Sequence, residues 1–177
     1  MSKTQWALDP THSELQFKVK HLMITTVTGS FKSFTARVET DGENFENAKI
    51  EFSAEVNSID SGNEQRDAHL KSADFFEADK FPTLTFSSTK LEKKDEENYL
   101  LYGNLNIKGV IKPVVIPTEF GGLAKDPWGN NKVGFTLNGK INRKDWDLNW
   151  NATLEAGGVL VSEEVKIIAE VQFVKQA

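Results

Sequence analysis

Cysteine is absent from this 177-residue chain, which removes disulfides, thiolate nucleophiles and cysteine-based metal sites from consideration. No apolar run approaches the length of a membrane-spanning helix. A basic stripe is also missing. The net charge is −5 and the lysines and arginines are scattered, which argues against a nucleic-acid surface and suits a solubility role. The chain has no phosphate-cradling glycine loop, metalloprotease helix or nucleophile elbow, so it offers no argument for an enzyme, a cofactor or a metal. Repeats, low-complexity tracts and linkers are lacking too, and the length suits a single domain over 1–177. At the N-terminus, Thr4-Gln5-Trp6 leads straight into structured-looking sequence with no basic region ahead of an apolar stretch, so a cytosolic location is expected. Tyrosine is scarce, two residues against twelve phenylalanines. Phenylalanine brings large apolar area with no polar atom to satisfy, and it serves a dry cavity wall as well as a packed core.

What the chain does have is period-two alternation, almost from end to end. Leu15, Phe17 and Val19 share one face, with Glu14, Gln16, Lys18 and Lys20 on the other. Val27, Gly29 and Phe31 alternate on one parity, and Phe34, Ala36 and Val38 on the opposite one. A bulge or bend within a long strand is therefore expected near Lys32-Ser33. Further runs begin at Ala48, Leu84, Tyr99, Val114, Val133 and Val165, and another reads Trp146, Leu148, Trp150, Ala152 and Leu154. Turn chemistry separates them at Asp41-Gly42, Glu96-Glu97-Asn98, Gly121-Gly122, the stretch 126–131 and Gly157-Gly158. Strands apolar on one face predict an all-β fold, an extended antiparallel β-barrel of about eight strands, since closure removes sticky edges. A two-sheet sandwich would alternate in the same way.

One segment departs from this pattern. Ser61-Gly62-Asn63-Glu64 fits a capping box, and the residues up to Phe75-Phe76 predict a helix of about three turns, stopped by Lys80-Phe81-Pro82. Its apolar positions Ala68, Leu70, Ala73, Phe75 and Phe76 are expected to face the barrel mouth. A ring-shaped sheet with one short helix laid over it can stay hollow, which favours a container for something apolar.

The polar candidates are few. His12, His21 and His69 show no metal-ligand spacing and read as hydrogen-bonding residues. Asp9, His12 and Ser13 have the side-chain types of a catalytic triad, but Asp9-Pro10-Thr11-His12 reads as a turn feeding a strand. Arg66, Asp67 and His69 form the densest ionisable cluster, either a salt-bridged helix surface or a polar collar gripping a ligand head group.

Longer motifs carry a resemblance. Trp6-x-Leu8-Asp9-x-x-His12-Ser13-x-Leu15-x-Phe17-x-Val19-x-His21-Leu22-Met23, followed by Val27-x-Gly29-x-Phe31-x-x-Phe34, resembles the opening of the YceI-like family. Ser58-Ile59-Asp60-Ser61-Gly62-Asn63, Arg66-Asp67-x-His69-Leu70-x-Ser72-x-Asp74-Phe75-Phe76 and Phe81-Pro82-Thr83-Leu84-x-Phe86 are similar to its central motifs. Gly103-Asn104-Leu105-x-Ile107-x-Gly109-Val110 and Ile141-Asn142-Arg143 are similar to its later ones. The resemblance implies a lipocalin-like barrel with a helix at its side or mouth. It further implies an elongated apolar tunnel holding isoprenoid quinones, polyprenyl lipids or long-chain fatty amides, and a homodimer. Many relatives act in the periplasm behind a secretion signal. Trp146-Asp147 stands where the family commonly has Phe-Gly, and Ser162-Glu163 where it often has Gly-Asp; a bulky Trp146 is expected to reshape the tunnel.

The expected function is therefore to bind and sequester or transport a long-chain isoprenoid lipid, with no chemistry and at most transient membrane contact. A quinone-linked stress-response enzyme and a solid-core interaction module are the alternatives. On strand parity, Phe17, Val19, Phe34, Phe52, Phe86, Leu105, Phe135 and Phe173 form the wall. Leu22, Met23, Phe31, Leu70, Phe75, Phe76 and Phe81 are expected at the mouth, with His21, Arg66 and His69 as head-group candidates.

Overall fold

The alternating runs become eleven strands and one helix in the computed structural model, which describes residues 3–151 and 160–177. The strands are β1 Lys3–Leu8, β2 Glu14–His21, β3 Thr25–Phe31, β4 Phe34–Asp41, β5 Asn44–Glu55 and β6 Ile59–Asp60. After helix α1, Glu64–Lys71, come β7 Thr83–Lys93, β8 Asn98–Ile107, β9 Val110–Lys125, β10 Asn131–Asn142 and β11 Glu164–Lys175. Eight of them close a ring in the order β1-β4-β5-β7-β8-β9-β10-β11, and β11 returns to pair with β1. The other three are extensions. Both β1 and β2 lie along β11, so they form one long interrupted strand; β3 with β4, and β5 with β6, do the same. The expected antiparallel barrel of about eight strands is present, and a sandwich is excluded.

Each interruption has a local cause. At Lys32-Ser33, where the parity changes, the chain remains bonded to its neighbour through Lys32 N–H to Ser58 O (3.1 Å) and Glu55 N–H to Ser33 O (2.9 Å). Between β1 and β2, Asp9 caps a single 3₁₀ turn, Pro10–His12, by accepting from Thr11 N–H. Ser13 Oγ donates to the Asp9 carbonyl at 2.7 Å and accepts from Gln172 N–H at 3.0 Å. His12 Nδ1 lies 2.9 Å from Asp9, so these three residues build a turn and no nucleophile–base pair. The same Asp9 carboxylate holds Lys132 of β10 at 2.7 Å.

The Lys132 bond is the main reason the Asp9 carboxyl sits well below its ordinary 3.8; burial opposes the shift, and His12 and Thr11 assist it. Stability from this group is complete above the ordinary carboxylate range and is lost as pH falls below about 4. Asp9→Asn is expected to cost about 2 kcal/mol at neutral pH and to flatten the acid limb of a stability–pH curve measured by urea unfolding. An unchanged acid limb would show that the turn is not anchored by this charge.

Two expectations, one turn and one strand, are corrected. Gly121-Gly122 is not a turn but a bulge inside β9, where the register shifts between Gly122↔Gly134 and Phe120↔Phe135. Gly122 has φ +106, which favours glycine. The strand expected from Trp146 does not form over the described residues. A 3₁₀ turn, Arg143–Trp146, ends at Asp147 in the left-handed region (φ +59), and 147–151 is irregular. Aspartate is one of the few residues with a side chain that tolerates this conformation. Ala152, Leu154 and Gly157-Gly158 lie outside the described residues.

The helix is shorter than expected. Its N-cap is Asn63, which accepts from Arg66 N–H, in place of the Ser61 capping box. It runs two turns, and Ala68 and Ala73 are exposed where they were expected to face the mouth. Leu70 and the turn after the helix, carrying Phe75 and Phe76, make the apolar contact instead.

One seam of the barrel is partly open. β9 pairs with β10 only from Thr118 onward, while Val110 to Pro117 pair with β8 alone. Pro113 and Pro117, which have no N–H to donate, fall in this half-paired stretch. Trp146, 2% exposed, packs beside it and donates Nε1–H to Leu105 O at 2.9 Å.

Candidate functional site

Inward-pointing residues leave a cavity of about 390 Å³ whose lining is almost wholly apolar. At one end, aromatic rings pack against one another in tilted and edge-on pairs: Trp6 with Phe45 at 5.2 Å, Phe45 with Phe135 at 5.4 Å, and Phe120 with Phe135 at 5.6 Å. Trp6 is anchored by Nε1–H to Thr40 Oγ at 3.0 Å. The other end carries α1, the β2–β3 turn and the chain around Trp150 and Val161, and His21, Arg66, His69 and Arg143 border the cavity there. The arrangement is a blind apolar tube with a polar mouth.

Two glycines make room for rings in the wall. A Cβ on Gly29 would lie 2.3 Å from the Phe17 ring, and one on Gly103 would lie 2.3 Å from that of Phe86. Phe17, Val19, Phe34, Phe52, Phe86, Leu105, Phe135 and Phe173 all line the cavity, as do Phe31, Leu70, Phe75 and Phe76 near the mouth. Three expected mouth residues do not. Leu22 and Met23 sit on the β2–β3 turn with φ of +56 and +59 and point to solvent. Phe81 packs outside the cavity against the Gly109 backbone, where a Cβ would come within 2.8 Å of its ring. Trp146 is likewise absent from the lining, so it does not reshape the cavity from within.

The head-group candidates are all at the mouth, and the side chains of Arg66 and His69 are already held. Arg66 donates through Nε to Ser61 Oγ (2.8 Å) and through Nη2 to Ser61 O (2.5 Å), while Ser61 Oγ donates to Asp67. His69 Nε2 is 2.8 Å from Asp74, and its ring stands edge-on to Phe75 and Trp150, centroids 5.1 and 4.6 Å away. His21 borders the cavity, and its backbone forms an isolated antiparallel β-bridge with Val161. No group of three or more metal-ligating side chains occurs among the described residues.

Arg143 is the residue that parity reasoning missed. It is 3% exposed, and its guanidinium donates to four backbone carbonyls: Ser162 at 2.8 Å, Leu148 at 2.5 Å, Trp150 at 2.9 Å and Val161 at 3.3 Å. Burial pulls its pKa down and nearby Glu163 pushes it up, yet a guanidinium stays charged in any working buffer. The only signal for it in the sequence was its place in Ile141-Asn142-Arg143; no period or spacing marks a cation that gathers carbonyls. Trp150, expected on a strand, completes the mouth from an irregular segment.

Residues 6–173 match the YceI-like domain. A UPF0312 protein of Staphylococcus aureus (strain N315) is 39% identical over 171 residues, covering 96% of this chain and 97% of the relative. The crystal structure of a Campylobacter jejuni YceI protein is similar with a TM-score of 0.78 and 36% identity, over 89% of this chain and 90% of that one. A domain from Saccharophagus degradans, described as polyisoprenoid binding, shares the fold at 14% identity with a TM-score of 0.72, over 97% of this chain and 98% of that one. This chain belongs to the YceI-like family.

Proposed function

We propose that the protein binds a long-chain isoprenoid lipid, a polyprenyl lipid or an isoprenoid quinone, in its barrel and sequesters or carries it without chemical change. The observation that carries this reading is the 390 Å³ apolar cavity. Kept dry and empty, a void of that size costs about 9 kcal/mol at roughly 24 cal/mol per Å³, which rivals the whole stability of a domain. A hydrocarbon tail relieves that cost. Each isoprene unit brings about five apolar carbons, worth roughly 4 kcal/mol of gross burial before ordering costs. Tail burial then sets affinity, and the mouth residues choose among head groups. The polyisoprenoid-binding description of the Saccharophagus degradans relative supports the same class of ligand. As the family resemblance implies, we propose a homodimer.

Mass spectrometry of an organic extract from freshly purified protein is expected to recover a polyprenyl or quinone species near one per chain. A clean extract, together with no uptake of added quinone, would overturn the reading. Catalytic conversion of a bound quinone is the competing outcome, and steady-state turnover with added reductant would reveal it.

A further inference from the structure

We propose that the outer face of β10, β11 and β2, together with the β2–β3 turn, docks the mouth onto an anionic lipid bilayer. The turn exposes three consecutive apolar residues, with Met23 59% and Ile24 76% accessible and Leu22 beside them. Leu22 and Met23 hold left-handed backbone conformations, which bulky side chains adopt at a cost, and the result is that apolar groups point outward. Leu22 N–H bonds to Leu160 O, so the turn is tied to a residue that lines the cavity.

The second observation is a row of like charges. Lys140 pairs with Lys166 across β10 and β11, and Lys166 pairs with Lys18 across β11 and β2. Side chains opposite one another on neighbouring strands lie close, and like charges there are destabilising. None of the three has a carboxylate within ion-pair distance among the described residues. Lys20 extends the row toward the turn, its Nζ donating to Thr26 Oγ at 3.2 Å. Acidic groups on the same face are Glu164 beside Asn142, and Glu14 paired with Glu170 farther from the turn. The lysine row therefore lies between Glu164, at the start of β11, and the Glu14–Glu170 pair farther from the turn, on a chain whose net charge is −5. Self-repelling lysines beside an exposed apolar turn fit a surface that is negative outside and apolar beneath, which is the chemistry of an anionic bilayer. Docked there, the mouth faces the layer from which a lipid enters.

The test is flotation of the full chain with vesicles of phosphatidylcholine alone or with about 30% phosphatidylglycerol. Binding is expected with the anionic vesicles only, and about 0.5 M NaCl should release most of it. Lys140→Glu with Lys166→Glu should lower the vesicle partition coefficient by more than about 25-fold, since each lysine contributes roughly fivefold and reversal also adds repulsion. Ile24→Ser should weaken binding even at low salt. None of these three residues lines the cavity, so uptake of quinone from detergent micelles should be unchanged, which separates this proposal from the lipid-binding reading. Circular dichroism confirms that each variant is folded. No binding to anionic vesicles, equal binding to both kinds, or binding that survives the charge reversal would each overturn the proposal. Capture of an acidic protein in place of the vesicles would do so as well.

Discussion

Replacing Arg143 by alanine is expected to cost about 3–5 kcal/mol, the largest single-residue loss anticipated in this molecule. Four carbonyls, those of Leu148, Trp150, Val161 and Ser162, converge on one guanidinium, and truncation removes that donor from all four, leaving Val161 O with its bond from Asn151 Nδ2 at 2.7 Å. Arg143 also joins two stretches of chain that are otherwise irregular, one around Trp150 and one leading into β11. Both contribute to the mouth, so ligand uptake should weaken along with stability. Urea unfolding would read the loss as a midpoint lowered by about 2 M, taking a slope near 2 kcal/mol per M. Arg143→Lys keeps the charge but has only three donors on one nitrogen and should recover part of the loss. A midpoint within about 0.3 M of the wild type for Arg143→Ala would mean that the carbonyls find water or other donors easily.

The second large effect should come from filling the cavity. Ala169 lies midway along β11, between Leu15 of β2 and Leu137 of β10, and lines the cavity with them. Ala169→Trp places an indole where a tail would lie. Losing roughly four methylene-sized contacts removes about 3 kcal/mol, so quinone or polyprenyl uptake should fall about a hundredfold. Thermal stability of the ligand-free protein should hold or rise, because the indole occupies space that nothing else fills. In a solid core the same substitution would overpack and cost about 1–3 kcal/mol, so the two readouts move in opposite directions for the two cases. Unaltered uptake with a stable fold would place the ligand elsewhere.

Strand parity carried the wall because burial on one face of a strand leaves a period that needs no neighbours to detect. Phe17, Phe52 and Phe135 were legible for that reason, and the parity change at Lys32-Ser33 marked a real interruption. Parity failed where local backbone conformation decides direction. Leu22 and Met23 follow a strand in sequence yet adopt left-handed angles that turn them outward. Gly121-Gly122 looked like a turn because glycine permits one, but pairing on both sides kept β9 extended through a bulge. The run from Trp146 alternates as a strand would, yet the carbonyls of Leu148 and Trp150 are drawn to Arg143 instead of a ladder partner. At the helix, Ser61 was engaged by Asp67 and Arg66, which left Asn63 to cap. Arg143 itself was invisible as a site because its role depends on four partners supplied by two segments that follow it in the chain, 148–150 and 161–162.

The rings of Trp6, Phe45, Phe120 and Phe135 seal the far end of the barrel, and this dictates the order of traffic. Under the proposed function, an amphiphile taken up through the mouth would go in hydrocarbon first and leave in reverse. Whatever lies inside always presents its polar terminus at the same rim, so any acceptor must read that terminus before the chain behind it can be drawn out.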